Sequence, residues 1–159
     1  MIQFIGEIVT AQILSILVLL GFGIPIVLSD LRTKQVSNSL SVGFFLASAT
    51  IAVFGLLTSE LDIATPFISG AIALAVFLVL YLIGRGSLGE ADVKLAPGFG
   101  LLLGTISVSA IVNWLLLTFL AAGAYAVIAL ILRKVGPKDF FAFAPSMFLA
   151  AITVFAVSI

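Results

Sequence analysis

Long apolar runs separated by short polar connections divide the chain into six segments. A helix needs roughly 20 apolar residues to cross the hydrocarbon core of a bilayer, which is about 30 Å thick. In lipid each backbone N–H and C=O needs an internal partner, and a helix supplies one. The pattern therefore predicts an all-α membrane protein, a polytopic bundle of six transmembrane helices. The predicted spans are approximately Ile8–Leu28, Leu40–Leu57, Ala64–Ile83, two within Val93–Leu132, and Phe140–Ile159.

The run Val93–Leu132 is 40 residues long and carries no charge after Lys94. It is too long for one span, so we expect two spans with a turn near Thr105–Ser109. Gly100 and Gly104 form a G-x-x-x-G spacing in the first of them, which lets helices approach closely. We interpret this spacing as packing inside the bundle rather than as a dimer signal.

The basic residues predict the orientation of the bundle. With six spans, the first, third and fifth connections share one side, and all seven basic residues lie in or directly beside them. Basic connections face the cytoplasm, so both termini are expected on the outer side. Trp114 then falls near the outer end of the fifth span, where we expect an interfacial aromatic ring. The seven basic residues are Arg32, Lys34, Arg85, Lys94, Arg133, Lys134 and Lys138.

The composition of the chain limits the kinds of catalytic and metal-binding sites that it can form. The chain is 63% hydrophobic and only 9% charged, whereas an ordinary soluble domain is about 25% charged. It contains no cysteine and no histidine. Disulfides, thiol catalysis and Ser-His or Cys-His nucleophile pairs are therefore excluded, and a zinc site is not expected. Asp, Glu, Lys and Tyr remain for acid–base chemistry.

Asp30 and Asp92 are the main candidates for that chemistry. Asp30 closes the first predicted span and Asp92 opens the fourth, so both are expected at the cytoplasmic edge. Ionisable groups that border hydrocarbon tend to be functional. Two carboxylates a few ångströms apart share one proton, which is the chemistry of aspartic proteases.

Spacing alone leaves other functions open. Asp30, Glu90 and Asp92 would also suit a small non-enzymatic transporter that binds a cation or relays protons. A purely structural membrane subunit is a further alternative. The segment Gly84–Gly89 formally matches the dinucleotide motif G-x-G-x-x-G, but it follows a membrane helix rather than a strand, so we reject that interpretation. We expect a flexible loop whose backbone a peptide can approach.

Three segments resemble the type IV prepilin peptidase family. Ser29–Asn38 resembles the family's Asp-x-Arg…Ile-Pro-Asn segment. Gly86–Leu95 resembles its Gly-x-Gly-Asp motif followed by Val-Lys-Leu, and Phe143–Ala150 is similar to its proline-containing final helix. The resemblance implies an intramembrane aspartic endopeptidase that cuts the short basic leader from type IV pilin-like precursors at the cytoplasmic face. It implies the short form without a soluble methyltransferase domain, like the peptidases of Flp-type pili or archaeal preflagellins.

The resemblance also implies roles for particular residues. Asp30 and Asp92 would be catalytic, and we expect no cofactor and no metal. Residues 1–159 would form a single membrane peptidase domain in the cytoplasmic membrane of a prokaryote, with a pilin-like precursor as partner. The expected contacts with the substrate are Gly86, Gly89, Glu90, Ala91 and Lys94.

Two positions depart from the family's motifs. Ala91 stands where the motif has its second glycine, and a Cβ atom there disfavours a positive φ. Ser37 stands where a proline is usual, which loosens the turn after Asp30. Neither residue supplies chemistry, so we expect activity to survive. Lys94 is expected to act as a topology signal, or to pair with a carboxylate and lower its pKa.

Overall fold

The computed structural model describes residues 2–58, 64–84, 88–132 and 142–158, and these residues form a bundle of α-helices. The apolar runs are helical, as predicted, and the 40-residue run breaks between Gly104 and Val108. The described helices are α1 (Ile2–Thr33), α2 (Asn38–Thr58), α3 (Ala64–Ile83), α4 (Glu90–Gly104), α5 (Val108–Ile131) and α6 (Ala144–Ser158).

Four of these helices are long and apolar enough to cross a membrane. They correspond to Gln12–Thr33, Asn38–Leu57, Ala64–Ile83 and Val108–Ile131. The apolar helix α6 and the helix α4 have 15 residues each. The structure thus supports a multi-pass membrane protein, while the crossing by all six helices and the sides of the termini remain predictions.

Helix α4 lies in the interior of the bundle. Ten of its fifteen residues are buried. Most of the helix therefore contacts other helices rather than lipid. Gly100 and Gly104 press against α3: a Cβ at Gly100 would collide with the backbone of Ser69 and Gly70, and one at Gly104 with Pro66. The G-x-x-x-G spacing therefore packs α4 against α3 inside the chain, as predicted.

An aromatic cluster fills the space around α4. The ring of Trp114 stacks on Phe99 and Phe77 at centroid distances of 5.1 and 5.7 Å. Its side chain is fully buried, and Nε1 donates a hydrogen bond to the carbonyl oxygen of Met147 at 2.9 Å. The prediction of an interfacial Trp114 is therefore wrong. The carbonyl in α6 satisfies the indole N–H, which lets the whole ring serve as core.

The helix ends near both candidate aspartates meet at one end of the bundle, here called the polar end. A hydrogen bond of 3.0 Å from Lys94 Nζ to Asn38 Oδ1 joins the starts of α4 and α2. Another joins the end of α1 to the start of α6 through Asp30 and Ala144. The basic residues Arg85, Arg133, Lys134 and Lys138 lie outside the described residues, so their grouping and the cytoplasmic assignment of the polar end remain predictions.

Candidate active site

Asp30 lies in the last turn of α1 and is only 7% exposed. Its Oδ2 atom accepts a hydrogen bond of 3.0 Å from the backbone N–H of Ala144, the first residue of α6. The helix extends past the predicted end of the first span at Leu28, so Asp30 is part of the helix rather than of the following loop. A helix fixes the direction of the side chain more firmly than a loop does.

The turn after Asp30 is held by its own side chains. Lys34 adopts a left-handed conformation with φ of 53°, and its N–H donates to the carbonyl oxygen of Asp30 at 2.9 Å. The hydroxyls of Ser29 and Thr33 both donate to the carbonyl oxygen of Gln35, at 2.8 and 3.1 Å. These hydrogen bonds order the turn without the proline that Ser37 replaces.

Asp92 is the third residue of α4 and is 5% exposed. Its carboxylate turns back to the helix start and accepts a hydrogen bond from the backbone of Gly89, the residue that precedes α4. This is the carboxylate half of a capping box, in which a side chain at the third position satisfies the N-cap N–H. A Cβ at Gly89 would lie 2.9 Å from Oδ2 of Asp92, so a glycine is required there for this placement of the carboxylate.

The two carboxylates lie within electrostatic reach of each other. Asp92 is outside the four candidate membrane spans. Burial and, to a lesser extent, the negative charge of Asp30 raise the pKa of Asp92 to about 7, although the hydrogen bond from Gly89 opposes both. The fold thus brings together two aspartates that are 62 positions apart in the sequence, in an arrangement where one proton is held more firmly than usual.

Glu90 and Lys94 lie outside this pair. Lys94 Nζ forms an ion pair of 2.6 Å with Glu90 Oε1 one helical turn away, and both side chains are exposed. The hydrogen bond and the charge of Lys94 lower the pKa of Glu90. The carboxylate that Lys94 contacts is therefore Glu90, and Asp92 keeps its raised pKa. Gly86, the remaining predicted substrate contact, lies outside the described residues.

Ala91 lies without strain in the first turn of α4. Among the described residues, Lys34 is the non-glycine residue with a positive φ, so the backbone of Ala91 is in an ordinary region. The expectation that a Cβ is disfavoured here depended on a positive φ. Because the position is helical in this chain, alanine costs nothing in backbone conformation.

A cavity of about 460 Å³ opens beside Asp92 at the polar end. It lies between the end of α3 and the second half of α5, and Ala142 and Phe143, which precede α6, also line it. Most of its lining is apolar. No group of three or more possible metal-ligating side chains comes together within the described parts of the chain. The lining residues are Leu80, Ile83, Gly84, Leu88, Gly89, Asp92, Phe119, Ala122, Gly123, Tyr125, Ala126, Ala142 and Phe143.

The contact from Ala144 was not predicted from the sequence. A signal for it exists. Phe143 precedes α6 and its carbonyl oxygen accepts the N–H groups of Ser146 and Met147, but phenylalanine cannot cap a helix with its side chain. Pro145 has no N–H. A helix that begins in this way leaves the N–H of Ala144 in need of an acceptor from another part of the chain.

One family of known proteins matches the chain. The type IV leader peptidase family matches residues 17–130, more than two thirds of the chain. The match includes Asp30 and Asp92 and ends before α6. Neither the curated proteins nor the solved structures gave a match. Because the family match covers well over half of the chain, this protein belongs to the type IV leader peptidase family and is a membrane peptidase.

Proposed function

We propose that the chain is an aspartic endopeptidase that removes the short basic leader from type IV pilin-like precursors at the cytoplasmic face of a prokaryotic membrane. The observation that carries this proposal is the buried, electrostatically coupled pair of Asp30 and Asp92 beside an open cavity. Residues 1–159 would act as a single membrane domain. The pair would serve without a cofactor.

The proposed reaction needs one ionised and one protonated carboxyl group. The ionised group takes a proton from a water molecule while the water oxygen bonds to the scissile carbonyl carbon. The protonated group gives its proton to the carbonyl oxygen, which forms a neutral gem-diol. The first group then protonates the peptide nitrogen as the C–N bond breaks. A hydroxyl of the diol returns a proton to the second group, so a carboxylic acid and an amine leave and the pair is restored.

The cavity beside Asp92 is the proposed binding place for the substrate next to the scissile bond. Its apolar walls come from α3 and α5, and they suit the apolar helix of a pilin-like precursor that reaches the site from the bilayer. Gly89 lines this cavity, and Ala91 is proposed to line the approach to Asp92 with it, so that small residues leave room for an extended backbone. Gly86 is proposed to do the same in the loop.

The exposed pair of Glu90 and Lys94 is proposed to stand at the entrance, where a basic leader in the cytoplasm would pass. Because Lys94 neutralises Glu90, attraction of the leader by Glu90 is weak in the resting enzyme. The transporter alternative is not supported. It requires Glu90 beside the two aspartates, and Glu90 bonds to Lys94 instead.

Co-expression with a pilin-like precursor tests the proposal. Loss of the leader would be followed by gel shift for the wild type, Asp30→Asn and Asp92→Asn, at equal membrane levels. Asn keeps size and polarity but cannot carry the charge or share the proton. We expect cleavage by the wild type and a loss of at least about 1,000-fold in either variant, since the two groups act as one unit. Asp62→Asn, a carboxylate predicted on the opposite side, is the matched control. Cleavage that persists in either dyad variant would refute the aspartic mechanism.

A further inference from the structure

The half of α5 that lies away from the aspartates carries a polar side chain on the outside of the bundle. Asn113 is exposed and lies five residues after Val108, inside the candidate membrane span Val108–Ile131. A helix of 24 residues extends about 36 Å. If it crosses a hydrocarbon layer of about 30 Å evenly, Asn113 lies about 4 to 5 Å beneath the surface. A polar group at that depth is costly unless another polar group bonds to it.

The neighbouring hydroxyl groups on this surface are satisfied within their own helix. The hydroxyl of Thr153 donates to the carbonyl oxygen of Leu149, and that of Ser158 donates to the carbonyl oxygen of Val154, both at 2.8 Å. The side chain of Asn113 has no hydrogen-bond partner among the residues that the structure describes. An asparagine amide carries two donors and an acceptor oxygen, so it is the group here that a second molecule would satisfy.

Asn113, Thr153 and Ser158 line a groove of about 340 Å³ between the first half of α5 and the second half of α6. The rest of its lining is apolar, and Leu116 and Leu120 are 59% and 68% exposed. These two leucines follow Asn113 by three and seven residues, which is the spacing of the contact line between two paired helices. α5 is also the least buried of the four candidate spans. The groove therefore has the form of a helix-pairing surface with one polar position.

We propose that this groove is the contact surface for a second copy of the chain, in which the two α5 helices pack together and the two Asn113 amides bond to each other. Two copies inserted the same way in a membrane are related by a two-fold axis perpendicular to it. Their α5 helices then run parallel, and a residue near the axis meets its own copy at the same depth. An amide complements itself, because it both donates and accepts.

The polar position favours a second copy over the other possible occupants. An asparagine in the contact line of two parallel helices fixes their register, and amide side chains hydrogen-bond across helices in lipid. A lipid chain, or the apolar helix of a precursor, would leave the Asn113 amide unsatisfied. The groove and the cavity beside Asp92 share no lining residue among those described, so this inference does not depend on the proposed function.

Disulfide cross-linking of the full chain in lipid vesicles tests the proposal. The chain contains no cysteine, so a single introduced cysteine reports a single contact, and a disulfide requires Cα atoms within about 7 Å. Leu120→Cys places the thiol in the groove. Leu46→Cys, on α2, is the matched control, because Leu46 is 57% exposed and does not line the groove. Phosphatidylcholine vesicles with a series of protein-to-lipid ratios are oxidised with copper phenanthroline and analysed on non-reducing gels.

We expect Leu120→Cys to form a covalent dimer and Leu46→Cys to remain monomeric. Adding Asn113→Leu to Leu120→Cys should raise the protein-to-lipid ratio needed for half-maximal cross-linking about tenfold, because the bond between the two amides is lost. Adding Asn113→Gln, which keeps an amide, should restore most of the association. The midpoint of thermal unfolding should be the same with leucine at this lipid-facing position, which separates lost pairing from misfolding.

Three results would overturn the proposal. Equal cross-linking of Leu46→Cys and Leu120→Cys would mean that the copies meet only by random collision. Cross-linking of Leu120→Cys that is unchanged by Asn113→Leu would mean that the amide does not join the copies. Monomeric Leu120→Cys at every ratio, or its cross-linking to a cysteine-bearing precursor in place of a dimer, would assign the groove to lipid or to the substrate.

Discussion

The two candidate aspartates are held in opposite ways. Asp92 is held locally, because its carboxylate turns back three residues to the backbone of Gly89 at the start of its own helix. Asp30 is held from a distance, by the first N–H of a helix 114 residues later. The local arrangement is encoded in a short motif, whereas the distant one exists only after six helices have packed. The orientation of the Asp92 carboxylate thus depends on the local sequence, whereas that of the Asp30 carboxylate depends on the tertiary structure.

The largest effect should come from breaking the local arrangement. Gly89→Ala places a Cβ against Oδ2 of Asp92, so the carboxylate must leave its position at the start of α4. We expect cleavage to fall about 100-fold, since a misplacement of about 1 Å costs this much in a preorganised site. Gly21→Ala is the control, because a Cβ there meets nothing within 4 Å. Equal activity of the two variants would show that Asp92 does not need the capping position.

The next largest effect is expected in the pH dependence of cleavage, which distinguishes Asp92 from Asp30. With its pKa raised from 3.8 to about 7, Asp92 loses its proton as the pH rises above about 7. Cleavage should then fall about tenfold per pH unit on the alkaline side. The same shift makes the folded chain bind a proton more tightly than the unfolded chain. Its contribution to stability is present below about pH 4 and is lost between about pH 4 and 7.

Asp92→Asn provides the check on this pH dependence. In the detergent-solubilised protein, thermal unfolding of the wild type should shift downward as the pH rises from about 4 to about 7, relative to Asp92→Asn. Parallel curves for the two proteins would contradict the raised pKa.

Asp92 lines the cavity, whereas Asp30 does not. Because the cavity is the proposed binding place of the substrate, filling it should reduce substrate binding. Gly123 lines the cavity, and a Cβ added there would meet nothing within 4 Å, as is also true at Gly21. We expect Gly123→Leu to lower kcat/KM about tenfold through a higher KM, because the side chain removes uniform binding. Gly21→Leu adds the same bulk to α1 and should match the wild type. A normal KM for Gly123→Leu would place the substrate elsewhere.

The smallest effect should come from the turn beyond Asp30. Ser29→Ala combined with Thr33→Val removes both donors to the carbonyl oxygen of Gln35. Because this region is exposed and water can replace the donors, we expect a loss of about 1 kcal/mol in the free energy of unfolding. Thr50→Val, which removes a hydroxyl bond within α2, controls for the loss of an exposed helical hydroxyl. A loss far larger than in the control would mean that the turn also determines the position of Asp30.

The sequence predicted the helices well because apolar run length is a local property. The break near Thr105 and the placement of Asp30 and Asp92 at one end followed from it. The packing of Gly100 and Gly104 inside the chain followed from their spacing. The prediction of an interfacial Trp114 was wrong because the sequence pattern does not reveal that the carbonyl oxygen of Met147 accepts a hydrogen bond from its indole N–H. The contact from Ala144 was missed because the start of α6 shows that its first N–H needs an acceptor, but not that Asp30, 114 residues away, supplies it.

The close packing of α4 against α3 has a consequence for depth. A helix of fifteen residues extends about 22 Å, whereas the hydrocarbon layer is about 30 Å thick. With both ends of α4 level with the two surfaces, the hydrocarbon layer beside this helix would be about 8 Å thinner than average. Backbone contact at Gly100 and Gly104 prevents α4 from sliding outward. A precursor's peptide bond would then meet the two aspartates at the surface of a locally thinned bilayer.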